Sequence, residues 1–362
     1  MVERSSCGIR YWVDPATPSD IFLDDKVVAD IERGSYELSV AGVSLFLRKE
    51  HSLFSPISLS WDMTSRCNFN CAFCYIKTNS TNNEVTFSEA KPILNRLIEK
   101  GLFEVHLSGG ECLLLKDFLD IYIYLKEQGV FITVFTNGSL IDKPILACWE
   151  KLPPSSVEIT VYDDDFSSAP YQNILLLREM DICVEVKYTL TKSTLDSFDG
   201  VKKWASANNI ELLVDSELID GVGEQHKELR KTHGLSTEQK RELDPERYNE
   251  LTFDEIGYRT GLPCVARYGT VHISPEFSMS LCHLMKNRWD LRVVDADIAL
   301  NKIQQMVEKY EDAKLHGCNG CIYSKKCGMC LAIAAVKHEE LFVPNGYCEE
   351  IKKEYETQDA LK

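Results

Sequence analysis

Between residues 57 and 215 the chain repeats one pattern: a short apolar run, then a stretch whose apolar residues recur at helical spacing. The runs are Ile57–Asp62, Phe103–Leu107, Val130–Phe135, Val157–Tyr162, Val184–Leu190 and Ile210–Asp215, and each is read as a strand. Helices are predicted between them. The first starts at a capping box, Thr86 with Glu89, and carries Ile93, Leu94, Leu97 and Ile98. The second spans Asp117–Gln128 with Phe118, Ile121, Tyr122 and Leu125 inward, and others lie near Lys143–Glu150, Tyr171–Met180 and Thr194–Asn208. Strands alternating with helices of this length imply a parallel sheet, because the return path runs through the helix. An open sheet and a barrel both satisfy the pattern. Either presents its chemistry at the carboxyl ends of the strands.

Directly after the first run stand three cysteines, Cys67, Cys71 and Cys74, spaced C-x3-C-x2-C. A cubane iron–sulfur cluster takes four ligands, normally thiolates. Three thiolates leave one iron open to a group that is not protein. Half of a zinc site, or reduced thiols that simply pack, are the competing readings of these residues alone. Seven more cysteines crowd the C-terminal third: Cys264, Cys282, the run Cys318-x2-Cys321-x5-Cys327-x2-Cys330, and Cys348. Two C-x2-C pairs alone would suggest a zinc ribbon, but a zinc site uses four ligands and seven are present.

Composition narrows the setting. The 362 residues are 44% hydrophobic and 27% charged, as in ordinary globular proteins. No apolar run approaches a membrane span and the first residues lack a signal-peptide core, so a cytoplasmic protein without a membrane partner is expected. Fourteen cysteines in a reducing compartment point to metal ligation rather than disulfides. A net charge of −16 disfavours nucleic-acid binding.

The trio, with Phe73 before its third cysteine, resembles the signature loop of the radical S-adenosylmethionine (SAM) superfamily, in which the open iron chelates the amino and carboxylate groups of SAM. The resemblance implies an incomplete, TIM-like (β/α)6 barrel over residues 57–215. It also implies a SAM pocket. Ser108, Gly109, Gly110 and Glu111 after the second strand resemble the element that holds the SAM amino group. Thr136 and Asn137 after the third, and Thr160 in the fourth, are ribose or carboxylate contacts by the same resemblance, with Phe73 beside the adenine. The arginine usual in the family after the fourth strand is not evident in Asp163–Pro170.

The C-terminal cysteines resemble the SPASM extension of radical SAM peptide-modifying enzymes, which binds two auxiliary 4Fe–4S clusters. By that resemblance Cys318, Cys321, Cys327 and Cys348 hold the outer cluster, and Cys264, Cys282 and Cys330 the inner one. Three positions depart from the pattern. Phe277 stands where the family usually has glycine, the last pair is C-x2-C rather than C-x3-C, and Thr270 lies near the place of a further inner-cluster cysteine.

The implied organisation is a cap over residues 1–56, the radical SAM core over 57–215, a polar bridging segment over 216–262, the SPASM domain over 263–350 and a tail over 351–362. The cap is expected to hold a helix, Asp20–Arg33, and strands Glu37–Val40 and Val43–Leu47. It reads equally as a reduced leader-peptide-recognition module. The bridge is expected to contain helical pieces at Thr237–Leu243 and Phe253–Tyr258.

The expected activity is reductive cleavage of SAM and oxidative cross-linking of a ribosomally made precursor peptide. Three 4Fe–4S clusters and an electron donor such as flavodoxin or ferredoxin are implied. Epimerisation and sulfatase-type maturation are alternatives within the class, and a zinc-stabilised binding scaffold is the alternative outside it. His283, directly after Cys282, is the candidate proton acceptor. Cys112, beside Glu111 at the expected pocket rim, is a candidate hydrogen-atom donor. Cys148 and Cys183 lie in helix and strand patterns and are expected to be buried thiols.

Overall fold

A computed structural model describes residues 2–6, 9–13, 58–74, 84–216, 218, 229–243, 270–285 and 287–317. The predicted strands appear as β3 (Ser58–Asp62), β4 (Glu104–Ser108), β5 (Phe131–Thr136), β6 (Ser156–Val161), β7 (Val184–Thr189) and β8 (Leu212–Asp215). They lie side by side in chain order, every neighbouring pair parallel. Before them, β1 (Val2–Ser6) and β2 (Ile9–Val13) form an antiparallel hairpin that the sequence reading did not anticipate. The helix and strands expected within residues 20–47 lie outside the described residues.

The helices follow the same order: α1 (Phe87–Glu99), α2 (Phe118–Glu127), α3 (Lys143–Lys151), α4 (Ala169–Glu179) and α5 (Phe198–Ala207). The short α6 (Leu229–His233) and α7 (Thr237–Leu243) follow, the latter as expected. All four inward positions predicted for α2 are buried, and its Tyr122 hydroxyl donates to the Leu152 carbonyl at 2.7 Å. On α1 only Leu94 and Leu97 of the predicted stripe are fully buried. Ile93 and Ile98 sit at its margin.

The sheet does not end at β3. Thr270–Ile273 forms β9, parallel to β3, and a meander through β10 (Ser278–Ser280) and β11 (Trp289–Asp290) extends it to nine strands. A four-residue strand closed by Ser274-Pro275 is too short to declare itself by alternation. A long helix, α8 (Ala296–Gly317), also went unpredicted. It buries Ala299, Leu300, Ile303 and Val307. Asp297 in its first turn meets Arg96 and Lys100 of the α1 end at 2.5 and 2.9 Å.

Phe277, at the position where glycine was expected, turns the chain between β9 and β10 with φ of 61°. A left-handed conformation costs a non-glycine residue about 1–2 kcal/mol. The ring offsets this cost by burial: it is 2% exposed, 6.3 Å from the Trp61 ring, with the Arg292 guanidinium 5.5 Å from its centre.

The two faces of the parallel sheet differ in kind. Leu59, Trp61, Val105, Leu107, Ile132, Val134, Val157, Ile159, Val186 and Tyr188 are all fully buried within the hydrophobic core. The alternate residues line a cavity: Ser60 and Asp62 of β3, His106 and Ser108 of β4, Phe135 of β5, Glu158 and Thr160 of β6, Lys187 and Thr189 of β7, and Asp215 of β8. A closed eight-stranded barrel packs its interior with branched apolar side chains. Here that side is polar. The fold is an open, barrel-like parallel sheet with a polar hollow.

The capping box of α1 forms as predicted. Glu89 N–H donates to Thr86 Oγ1 at 3.3 Å and Thr86 N–H to Glu89 Oε2 at 2.9 Å. The Thr86 N–H bond, a second from Thr86 Oγ1 at 2.8 Å and Arg292 Nε 3.0 Å from Glu89 Oε1 pull the Glu89 carboxyl from the usual 4.5 to about 2. Thr86→Ala should therefore cost about 1 kcal/mol in chemical denaturation. A carboxyl with a depressed pKa stabilises the fold above its ordinary value. Glu89 should thus lose its contribution as pH falls from 4.5 toward 2, and Glu89→Gln should flatten that part of the stability profile.

Candidate active site

The site is built where β3 and β4 leave the sheet. Their pairing does not stop with the strands. Met63 N–H donates to the Ser108 carbonyl at 2.9 Å, Gly110 N–H to the Thr64 carbonyl at 2.8 Å, and Glu111 N–H to the Arg66 carbonyl at 2.8 Å. The segment that leads to Cys67 is therefore zipped to Ser108–Glu111. The contact is so close that it admits only glycine. A Cβ on Gly110 would lie 2.2 Å from the Arg66 carbonyl oxygen, and one on Gly109 2.5 Å from that of Thr64. Gly109 also takes φ of 124°, which L side chains rarely adopt.

Glu111 ties in the third strand. It is fully buried, and its carboxylate accepts from Thr136 Oγ1 at 2.8 Å, Asn137 N–H at 2.8 Å and Leu113 N–H at 3.2 Å. Burial pushes its pKa up despite these bonds. The sequence reading offered this carboxylate to an ammonium group. In the structure its bonds go to β5 and the following turn, and the backbone of Gly109 and Gly110 faces the cavity instead. Asn137 continues the chain of contacts, its Nδ2 donating to Asn68 Oδ1 of the cysteine loop at 2.9 Å.

The loop has its own staple, which the sequence did not reveal. Arg66 grips Glu84 through two bonds, Nε–Oε1 at 2.7 Å and Nη2–Oε2 at 2.8 Å, and Thr64 hydrogen-bonds to the same carboxylate. A two-pronged arginine–carboxylate pair fixes orientation as well as distance. No local spacing links residues 66 and 84, so only the fold brings them together.

Cys67, Cys71 and Cys74 are half-buried and line one cavity of about 350 Å³. Phe73, Ser108, Gly109, Gly110, Thr136, Asn137 and Thr160 line it too. Burial, then the charges of Cys74 and Cys67, push the Cys71 thiol up to about 11. Three thiolates that repel one another call for a cationic centre. Among the described residues no three His, Cys, Asp or Glu side chains converge closely enough for a single metal ion. A cubane presents each thiolate with a different iron, so its ligands stand farther apart. The donor set fits a cubane with one iron left to another ligand.

The two candidate catalytic side chains fare differently. His283 lines the cavity beside half-buried Cys282. Burial, with a further push from His272, lowers its pKa to about 4, so it is neutral at pH 7. The rings of His272 and His283 meet edge to face at 6.1 Å. His272 is itself held between Asp62 Oδ2 at 3.0 Å and Ser280 Oγ at 3.2 Å. Cys112 is not at the rim. It is fully buried in the turn after Glu111, its thiol directed at the Phe135 carbonyl at 3.4 Å, and it lies outside the cavity wall. Cys183 is exposed and Cys148 half-buried, where both were expected inside; Cys183 precedes β7 at the sheet's amino end. Cys264, Cys318, Cys321, Cys327, Cys330 and Cys348 lie outside the described residues.

The sequence also missed a charged group on the wall of the cavity. Lys187 Nζ sits 3.4 Å from Asp215 and 3.8 Å from Glu158. Its strand register sets it beside Thr160. Strand alternation alone would have given the facing, but not that the face was hollow.

Residues 61–175 match the family model of the radical SAM superfamily. This segment is a radical SAM domain. A SAM site and a 4Fe–4S cluster follow from the family. Among curated relatives, the chain is 35% identical over 85 residues to Fe-coproporphyrin III synthase of Methanosarcina barkeri, which is 23% of this chain and 21% of that one. It is 28% identical over 94 residues to the PqqA peptide cyclase of Bradyrhizobium diazoefficiens, a quarter of each chain. The chain thus spans well under half the length of these two relatives. Among solved structures, Streptococcus suis SuiB bound to its precursor peptide SuiA superposes with a TM-score of 0.62 at 16% identity, over 89% of this chain and 88% of that one. At that identity the likeness is one of fold.

The radical SAM domain makes the zipper testable. Gly110→Ala drives a methyl into the Arg66 carbonyl, and overpacking of this kind costs about 1–3 kcal/mol. The variant should show a lowered midpoint of thermal unfolding. It should also bind less iron per chain after anaerobic reconstitution, as measured by colorimetric iron analysis.

Proposed function

We propose that this chain is a peptide maturase: a radical SAM enzyme that installs an oxidative cross-link (thioether, carbon–carbon or carbon–oxygen) in a ribosomally made precursor peptide. The observation that carries the reading is the single cavity shared by three thiols, a glycine edge and a polar sheet face. It supplies a cluster site, a cofactor shelf and room for a substrate side chain in one hollow. The fold-wide likeness to a peptide-bound SuiB, and the match to a PqqA peptide cyclase, support a peptide as the substrate.

When bound, the cluster and SAM together supply a 5′-deoxyadenosyl radical able to take hydrogen from an unactivated carbon. The protein's part is placement. Cys67, Cys71 and Cys74 would hold the cluster. The backbone at Ser108–Gly110 would receive the SAM amino group, Thr136, Asn137 and Thr160 its ribose and carboxylate, and Phe73 would pack against the adenine. Ser60, Glu158, Lys187 and Asp215 form the wall against which the substrate side chain rests. His283, kept neutral by burial, is the proton acceptor of this reading when the substrate is oxidised.

The seven C-terminal cysteines supply the electron acceptors of this reading. Cys264, Cys282 and Cys330 hold an inner auxiliary cluster and Cys318, Cys321, Cys327 and Cys348 an outer one, with flavodoxin or ferredoxin as the reductant. Cys112, buried away from the cavity, is poorly placed to return a hydrogen atom, which favours cross-linking over epimerisation. Among the described residues no helix is long and apolar enough to cross a membrane.

Co-expression with short open reading frames beside the gene should yield one peptide lighter by two hydrogens in mass spectrometry. A mass-neutral product would indicate epimerisation, and no modified peptide would contradict the reading. Cys71→Ala should abolish 5′-deoxyadenosine formation. Cys321→Ala should retain part of it while losing the cross-linked peptide; equal loss of both would count against separate roles for the clusters.

A further inference from the structure

Two polar residues beside the cysteine loop stand outside the cavity wall. Asn68 follows Cys67 directly, Ser139 lies in the turn after β5, and neither lines the cavity. Their side chains close a ring with Asn137. Asn137 Nδ2 donates to Asn68 Oδ1 at 2.9 Å, Asn68 Nδ2 to Ser139 Oγ at 2.8 Å, and Ser139 Oγ to Asn137 Oδ1 at 2.6 Å. One backbone bond sets the direction of the whole ring. The Ser139 N–H can only donate, and its nitrogen lies 3.0 Å from Asn137 Oδ1. The Asn137 oxygen must therefore face Ser139 and its nitrogen Asn68, which turns the Asn68 nitrogen toward Ser139. The Ser139 hydroxyl then accepts from Asn68 and gives its hydrogen to Asn137. Around the ring each side chain donates once and accepts once, an arrangement in which every bond polarises the next.

The ring matters for what it brackets. Before Cys67, the Arg66 carbonyl accepts from the Glu111 N–H at 2.8 Å. After it, the Asn68 side chain is held by Asn137, whose own N–H donates to Glu111 Oε2 at 2.8 Å. Both flanks of the cysteine are thus tied back to one buried residue. We propose that Asn68 and Ser139 are positioning residues for the first cluster cysteine: by closing the ring they hold Cys67 from its carboxyl side as Glu111 does from its amino side, and so slow loss of the bound cluster. The reason is one of preorganisation. A ligand fixed at both neighbours that lets go of an iron stays beside it and rebinds before a competitor arrives. A ligand fixed on one side swings away. Asn68 and Ser139 are 71 residues apart in the chain, so no local spacing marks the pair.

The inference rests on the reading that the trio holds a cubane, and the experiment separates the two. Unaltered protein, Asn68→Ala, Ser139→Ala and Ser139→Thr are reconstituted anaerobically and exposed to the chelator EDTA. Samples taken over time are reduced, and the electron paramagnetic resonance signal that responds to SAM is followed, which singles out the cluster at the trio. Both alanine variants should lose that signal roughly fivefold faster than unaltered protein, the factor that one hydrogen bond commonly carries. Ser139→Thr keeps the hydroxyl and should decay at the unaltered rate. Unchanged decay in the alanine variants would overturn the proposal, as would a threonine variant that decays as fast as Ser139→Ala. A SAM-responsive cubane missing from the unaltered protein would overturn the reading beneath it instead. Should circular dichroism show that an alanine variant does not fold, Asn68→Asp removes one bond of the ring at almost no change in volume. It too should lose the signal faster, and decay at the unaltered rate would overturn the proposal.

Discussion

Everything in the site depends on two backbone segments lying closer together than side chains allow. The hydrogen bonds from Met63, Gly110 and Glu111 carry the β3–β4 pairing past the end of the sheet and bring the cysteine loop with it. Gly109 and Gly110 have no Cβ to hold the segments apart, and Glu111 then locks the third strand's Thr136 and Asn137 to the same edge. Arg66 with Glu84 closes the far side. Each tie is individually worth only on the order of 1 kcal/mol net, but a buried carboxylate left without its donors costs more than that. The loop is rigid because its ties are shared, so that loosening one exposes others.

The second organising constraint is the division of the sheet into an apolar side and a polar side. Core residues on the helix-facing side are ordinary strand and helix chemistry. The opposite face spends its positions on Ser60, Asp62, His106, Glu158, Lys187 and Asp215, which a packed barrel would not tolerate. Several of these carry their own partners: His106 lies 3.0 Å from Glu104, His272 3.0 Å from Asp62, and Lys187 between Glu158 and Asp215. Pairing lets charges persist in a half-buried wall. A hollow lined this way accommodates a polar guest better than an apolar one.

Much of this was legible in the sequence, for a physical reason. Period-two runs and capped amphipathic helices are local signals, so the six parallel strands and the buried stripe of α2 follow from neighbours in the chain. Cys67, Cys71 and Cys74 were likewise found by spacing, and the Gly109–Gly110 pair by its place after the second strand and its resemblance to the family's element there; all of them face one cavity. What escaped was long-range or too short. The β9 strand has four residues, and the Arg66–Glu84 and Asp62–His272 pairs join residues with no sequence periodicity between them. Glu111 and Cys112 were placed at a rim because spacing gives position along the chain and not direction into the fold. Phe277 shows the converse. The sequence marked it as the residue standing where glycine was expected, and its φ of 61° shows why glycine suits that place.

The central claim is that the trio leaves one iron for a small ligand held by the glycine edge. Electron paramagnetic resonance of the reduced, reconstituted protein, recorded before and after addition of SAM, tests it most directly. The account predicts a reduced cubane signal at the trio, retained when the C-terminal cysteines are replaced, whose g values shift when SAM is added. A cubane whose spectrum ignores SAM, or protein that takes up zinc and no cluster, would contradict it.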